Sequence, residues 1–301
     1  MLKRKSYKKY KSFRSAAFFF LTPALGSIFV FFFIPVIAAF AMSFTDFDIY
    51  SLGDWTKARF IGVKNYIDLF EDPLFWSSLK NTFYYVIAAT PVSIAVSLGA
   101  AILLNSRLVK LKGIFRLTYF IPVITTLVAV AIVWRFIYHP GFGILNYFLG
   151  IFGLSPVDWL GDPNWAMPAI ILMAVWKNFG YNMIIFIAGL QNIPDYLYEA
   201  SVIEGANGWQ QFKSITIPML APTTFFISII TMISFFQLFA EPYVMTQGGP
   251  LNKTLSIVQY MYHEGFRWWN MGYSASIAFI LFFIIFAGTL IQFKIQKTTE
   301  L

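Results

Sequence analysis

The polar residues that could do chemistry in this chain are few, and they interrupt apolar runs. Trp176-Lys177-Asn178-Phe179-Gly180-Tyr181-Asn182 sets a lysine, two amides, a phenol and aromatic rings inside an apolar stretch, and Phe235-Phe236-Gln237 repeats the theme. Planar amides and hydroxyls can satisfy a ligand's hydroxyl groups while aromatic faces pack on its C–H surfaces. Asn178 and Tyr181 are three apart and so share one helical face. The same side chains also bond one apolar helix to another. Lys177, Asn178, Tyr181, Asn182, Phe236 and Gln237 are therefore candidates either for a polar ligand site or for interhelical bonding. Lys177 could meet a hydroxyl or an anionic group, or extend its head toward an interface.

Covalent, redox and metal chemistry has little to draw on. The chain has no cysteine, which excludes disulfides, thiolate metal sites and cysteine nucleophiles. A P-loop needs Gly-Lys-Ser/Thr; Lys precedes Ser or Thr at Lys5, Lys11, Lys213, Lys253 and Lys297, never after Gly. The two histidines, His139 and His263, fall in different loops with no H-E-x-x-H, and no Gly-x-Ser-x-Gly elbow occurs. His263-Glu264 reads as a solvated pair rather than a metal site. No metal and no cofactor bound by the chain itself are expected. Passage is favoured over catalysis.

The elements that must hold these residues are membrane spans. Of 301 residues, 58% are hydrophobic and only 12% charged, with 35 Phe. A soluble fold would leave too much of this apolar surface in water. About 20 apolar residues cross a bilayer core of roughly 30 Å. Six stretches suffice: 16–42, 81–104, 114–137, 166–190, 216–240 and 273–293. The first exceeds a signal-peptide core of about 7–15 residues and reads as an uncleaved span. Within these spans the charged side chains away from the ends are Lys177 and Arg135, and no acid lies mid-span. The expected fold is an all-α integral membrane protein: a basic tail 1–15, a six-span transmembrane domain 16–293 with a loop 193–218, and a tail 294–301.

Lys and Arg placement sets the orientation. The ends and even-numbered loops carry 14 Lys/Arg, the alternate side six. Both termini are therefore expected in the cytoplasm. The net charge of +8 reads as attraction to anionic headgroups, with no role for nucleic acid.

The loop 193–218 is the most informative segment. Pro194-Asp195 suits a helix start, 196–204 a short helix, and Gly205 with Asn207-Gly208 a stop. A second short helix, 209–214, would run into Pro218 at the first turn of the fifth span. Read on shape alone, this hairpin either docks on another protein or packs on the chain's own helix ends.

Its residues resemble a known pattern: Glu-Ala-Ala, three residues, Gly, nine residues, Ile-x-Leu-Pro, the hallmark of inner-membrane subunits of binding-protein-dependent ABC importers. Here Glu199-Ala200-Ser201 precedes Gly205 and, nine residues on, Ile215-Thr216-Ile217-Pro218. Ser201 and Ile217 are mild departures. The resemblance implies a six-span permease fold in which this loop is a coupling helix seated on a cytoplasmic ATPase subunit, Glu199 being the acidic anchor and Gly205 the turn. Thr246-Gln247-Gly248-Gly249-Pro250 with Thr254, Phe60–Tyr66, Phe115-Arg116 leading to Ile121-Pro122, and Gly272-Tyr273-Ser274-Ala275 are similar to the sugar permeases of the carbohydrate-uptake branch. The fourth span resembles the sugar-contacting part of the maltose-transporter permease. Tyr181 falls on a matching Tyr there, and Asn178 stands where that permease has Gly.

That resemblance implies a transport subunit moving a sugar or oligosaccharide across a bacterial or archaeal cytoplasmic membrane. Its partners would be a second homologous permease in a heterodimer, two ATPase subunits holding ATP and Mg, and an extracytoplasmic sugar-binding protein. A related polar solute such as glycerol 3-phosphate is the alternative within the family. A self-sufficient secondary carrier or channel would be expected to carry ionisable residues inside its spans, and a membrane enzyme would need a polar cluster.

Overall fold

A computed structural model of the chain describes residues 18–106 and 109–299; the basic tail 1–15 and Arg107 lie outside the described residues. The regular elements among the described residues are all helices, with one isolated bridge between Thr45 and Phe60. Four helices are long and apolar enough to cross a membrane, and six if each of two bent pairs counts as one span. The chain divides into two compact units: residues up to Glu71 with His263–Phe279, and Asp72–Tyr262 with Ile280 onward.

In the first unit, α1 (Phe18–Met42) is exposed along nearly all its length. A helix apolar on every side and open on every side fits lipid rather than water. Its turn Phe29–Phe33 widens to a π turn directly ahead of Pro35, whose ring displaces the carbonyl one turn back. After α1 the chain folds into a tight clasp. The Asn65 amide, on α2 (Lys64–Glu71), donates to the carbonyls of Ser43 and Thr45, each at 2.9 Å. The Gly272 N–H donates to the Phe47 carbonyl at 2.9 Å, and a Cβ on Gly272 would sit 2.2 Å from the Thr45 carbonyl oxygen. Two stretches far apart in sequence, 60–66 and 272–275, thus meet on one turn. Glu264 is buried and accepts from the Asn270 amide at 3.0 Å. The expectation of a solvated His263-Glu264 pair fails for Glu264, because the chain folds back there and removes the acid from water.

The second unit is built on α3 (Pro73–Asn105) packed along α7 (Ala166–Gln191). Asp72 accepts from the Leu74 N–H at 2.7 Å and Pro73 opens the first turn, so α3 starts well before the expected 81. The third expected span, 114–137, is not one rod. It is α4 (Lys112–Ile124) and α5 (Leu127–Ile137), bent by 99°. Pro122 weakens the last turn of α4, and Thr125 and Thr126 take extended ψ angles of 141° and 135°. Short α6 (Ile144–Ile151) follows, held to the next turn by Asn146. Its amide donates to the carbonyls of Pro140 and Val157, and its oxygen accepts from the Val157 N–H and Trp159 Nε1. Beyond α7 come α8 (Asp195–Ile203), α9 (Gly208–Met219), α10 (Ala221–Phe236), α11 (Ala240–Met245), α12 (Ile257–Tyr262) and α13 (Met271–Thr299). The fifth expected span, 216–240, is shorter than read: α9 and α10 meet at a 63° bend, and the helix ends at Phe236.

Two close approaches set the packing of α7. A Cβ on Gly180 would lie 2.0 Å from the Tyr119 carbonyl oxygen of α4, and one on Gly189 would lie 2.8 Å from Thr223 Oγ1 of α10. Glycine there lets neighbouring helices approach at backbone distance. Below Gly189, Phe186, Ile187 and Leu190 join Ala101, Leu104, Leu220 and Ile227 in a buried cluster.

Candidate functional site

The first candidate region is the α8–α9 hairpin. Gly205 turns the chain with φ +82°, and the space where a Cβ would stand is open. The positive φ, not crowding, is what calls for glycine. Asn207 caps α9 by accepting from the Gln210 N–H at 3.0 Å, and the Gln210 side chain accepts in return from the Asn207 N–H at 2.8 Å. The second arm therefore starts one residue earlier than read. It also runs on through a π turn, Phe212–Thr216, to Met219. Pro218 sits in that arm rather than at the start of the span, where Pro222 stands in its place near the start of α10.

The arms are tied together. Gln211 Nε2 donates to Ser201 Oγ at 3.0 Å, and the Tyr198 and Thr216 hydroxyls bond at 2.9 Å. Leu197, Tyr198 and Ile215 pack against the buried cluster at the ends of α3, α7 and α10. Tyr196, Val202, Ile203 and Trp209 face outward, Ile203 being 88% exposed. The hairpin thus has an inner face packed on the chain's own core and an exposed apolar outer face. A concavity of 500 Å³ lies along the hairpin and is lined by Ala200, Ser201, Gly205 and Ile215. Glu199 and Pro218 are exposed outside it.

The second region lies between α7 and the broken end of α10. A cavity of 170 Å³ is lined by Asn178, Tyr181 and Asn182 on one side and Thr231, Ser234 and Phe235 on the other. An adjoining cavity of 280 Å³ shares Asn178, Ser234 and Phe235 and adds Lys177, Gln237, Tyr85 and Glu241. The break that ends α10 at Phe236 turns Gln237 into this second cavity and brings α11 behind it. Five of the six sequence candidates therefore line one or other of two adjoining cavities.

Their bonding separates them. Asn182 is buried and donates to Thr231 Oγ1 at 3.0 Å, which is interhelical bonding. The Asn178 amide donates one turn back to the Ala174 carbonyl at 2.9 Å. Lys177 Nζ reaches the Val123 carbonyl at 3.4 Å, on the last turn of α4, where carbonyls lack helical partners. Tyr181 is 49% exposed. Phe236 is buried edge-on against Phe83 and lines neither cavity. Successive helical residues are about 100° apart, so Phe235 takes the lining position that the sequence reading gave to Phe236.

Sequence reasoning missed Tyr85 and Glu241. Glu241 falls one residue past the expected end of the fifth span, at 240, and so reads as a loop acid. It is buried, and it lines the cavity that Lys177 enters. The available signal was Pro242, which marks a helix start beside the acid. Among the described residues no group of three or more His, Cys, Asp and Glu could hold a metal.

In the loop before α12, Gln247, Gly248, Leu251 and Asn252 all have positive φ. Thr254 Oγ1 donates to the Gly249 carbonyl at 2.6 Å, and the Asn81 amide anchors the Asn252 and Leu255 carbonyls.

Several apolar helices, long enough to cross a membrane singly or as bent pairs, define a multi-pass membrane protein. The chain belongs to the binding-protein-dependent transport system inner membrane component family, which matches residues 93–300. It is 37% identical over 289 residues to the arabinooligosaccharides transport system permease protein AraP of Bacillus subtilis (strain 168), covering 95% of this chain and 90% of that protein. It is 34% identical over 296 residues to the lactose transport system permease protein LacF of Rhizobium radiobacter, covering 96% of each. Its fold is similar to a chain of the bacterial alginate ABC transporter solved in complex with alginate pentasaccharide-bound periplasmic protein. That match has a TM-score of 0.77 at 21% identity and covers 94% of each chain. The family resemblance read from 199–218 is thereby established, and the relatives are carbohydrate ABC transporter permeases.

Proposed function

We propose that the chain is one of two permease subunits of an ATP-driven importer that translocates a sugar or oligosaccharide delivered by an extracytoplasmic solute-binding protein. It crosses a bacterial or archaeal cytoplasmic membrane six times, each bent pair counting as one span, with both termini inside. A homologous second permease completes the path, and two cytoplasmic ATPase subunits hold ATP and Mg. The α8–α9 hairpin is the coupling element: Glu199 and the outward apolar residues meet the ATPase, while Ala200, Ser201, Gly205, Ile215 and Pro218 give the hairpin its form. ATP binding draws the two coupling hairpins together, and the permease pair swings from inward- to outward-facing around a site near the midplane.

The observation that carries this reading is the hairpin's two-faced construction. One face is locked to the helix core through Leu197, Tyr198 and Ile215, and the other leaves Ile203 and Trp209 exposed. Movement of a docked partner would thus be passed directly to α7 and α10. The substrate is proposed to be a sugar because Asn178, Tyr181, Gln237 and Phe235 offer amides, a phenol and a ring around adjoining cavities, and because the relatives named above carry arabinooligosaccharides and lactose.

The test is uptake by the reconstituted complex, with its binding protein outside and ATP inside, across a panel of neutral oligosaccharides and glycerol 3-phosphate. Uptake should require ATP and the binding protein. Tyr181→Ala and Gln237→Ala should change the ratio of sugars carried while the complex still assembles. Uptake by this chain alone along an ion gradient would sink the reading.

A further inference from the structure

The 280 Å³ cavity contains one feature that the sugar-site reading does not use, a buried acid. Glu241 is 8% exposed, and Tyr85, 0% exposed, presents a hydroxyl with no hydrogen-bond partner among the described residues. Both line the cavity that receives Lys177 and Gln237. The volume lies just under the roughly 300–1,000 Å³ of small-ligand sites. An unpartnered hydroxyl in a buried polar cavity is costly unless something occupies the space. Lys177 and Glu241 make no direct ion pair across it, and Lys177 Nζ is instead directed to the Val123 carbonyl. One cation and one acid therefore face a shared space without neutralising each other by contact.

We propose that Glu241 is a specificity-determining residue that makes this cavity select neutral polyhydroxylated ligands over anionic ones. The proposal rests on the sugar-site reading above and adds the substrate class. With Lys177 alone the cavity would be electropositive and would welcome a carboxylate or a phosphate. As a carboxylate, Glu241 opposes that field and repels an anion directly, and this repulsion is stronger where the effective dielectric is about 20 rather than 80. A neutral sugar loses nothing, because the carboxylate accepts from its hydroxyls while Lys177 and Tyr85 donate to them. Negative selection of this kind uses a like charge rather than an extra contact. A purely structural acid would hold a partner in place and would not discriminate between ligands.

The experiment is direct binding of labelled probes to the whole complex in nanodiscs, without the binding protein, so that only the permease selects. The neutral probes are arabino-, galacto- and maltotriose, and the anionic probe is trigalacturonate. The wild type should bind its best neutral probe at least tenfold more tightly than trigalacturonate. Glu241→Gln should shrink that ratio by tenfold or more, chiefly by tightening trigalacturonate. Lys177→Met should widen it. An unchanged ratio in Glu241→Gln overturns the proposal, as does a wild type that prefers trigalacturonate. If Glu241→Gln does not assemble, Lys177→Met decides alone, and an unchanged ratio there is equally fatal. Tyr181→Ala and Gln237→Ala separate the two levels. If they weaken neutral binding while the ratio ignores Glu241 and Lys177, only the selectivity proposal falls. If no variant alters neutral binding, the site itself lies elsewhere.

Discussion

Gln211 donates its amide to the hydroxyl of Ser201 at 3.0 Å, and Ser201 in turn donates to the Tyr198 carbonyl at 2.7 Å. Ser201 stands where the family pattern has alanine, so the departure adds a bond between the two arms of the hairpin. Ser201→Ala should loosen the hairpin by about 0.5–1.5 kcal/mol, at the low end because the freed amide can turn to water. Amide exchange within 195–216 should speed up accordingly. Tyr198→Phe, which loses the bond to Thr216, should act in the same direction. Unchanged exchange in both variants would show that apolar packing alone holds the arms.

Gly205 tests backbone conformation apart from space. A Cβ there meets nothing, yet φ is +82°. Gly205→Val should cost roughly 1–3 kcal/mol of strain and uncouple sugar-stimulated ATP hydrolysis in the assembled complex. Gly205→Asn should be milder, because Asn tolerates the left-handed region. Equal damage from both would mean that the partner surface, not φ, demands glycine.

Gly180→Ala probes the approach of α4 to α7. The added methyl would lie 2.0 Å from the Tyr119 carbonyl oxygen, a contact that only movement of one helix can relieve. We expect a loss of about 1–3 kcal/mol, read as a lower melting temperature of the purified complex. Weaker sugar binding should accompany it, since Tyr181 adjoins the shifted contact.

The Asp46–Arg59 clasp gives a pH dependence. Asp46 accepts from the Arg59 N–H at 2.6 Å and from its Nε at 2.8 Å. The backbone bond from Arg59, helped by its guanidinium, lowers the Asp46 carboxyl below its ordinary value of 3.8. A depressed carboxylate stabilises the folded clasp above its unfolded value, and that contribution is lost as pH falls through the lower folded value. The pair is exposed, so the effect should be small, about 0.2–1 kcal/mol. Protection of 44–61 against exchange, corrected for the intrinsic rate, should drop between pH 5 and pH 3 in the wild type. In Asp46→Asn it should already be low and flat with pH.

Orientation can be checked on this cysteine-free chain with Ser6→Cys and Thr298→Cys. Both should react with an impermeant thiol reagent only from the cytoplasmic side, as the 14 to six Lys/Arg asymmetry requires. Reaction of either from outside intact cells would reverse the topology.

Sequence by itself determined the medium, the family and the turn at Gly205. Hydrophobic length and charge asymmetry are summed over tens of residues, so no contact needs to be known to read them. The motif 199–218 is local, and a positive φ at Gly205 follows from residues within one hairpin. Tertiary structure alone decided where helices break and which side chains share a cavity. The 99° bend at Thr125–Thr126 and the end of α10 at Phe236 depend on neighbours that satisfy or displace backbone groups, and hydropathy cannot see them. Those breaks exchange Phe236 for Phe235 at the cavity wall. They also carry Glu241 from an apparent loop into a buried site beside Lys177 and Tyr85, a juxtaposition of α3, α7 and α11 that no local pattern encodes.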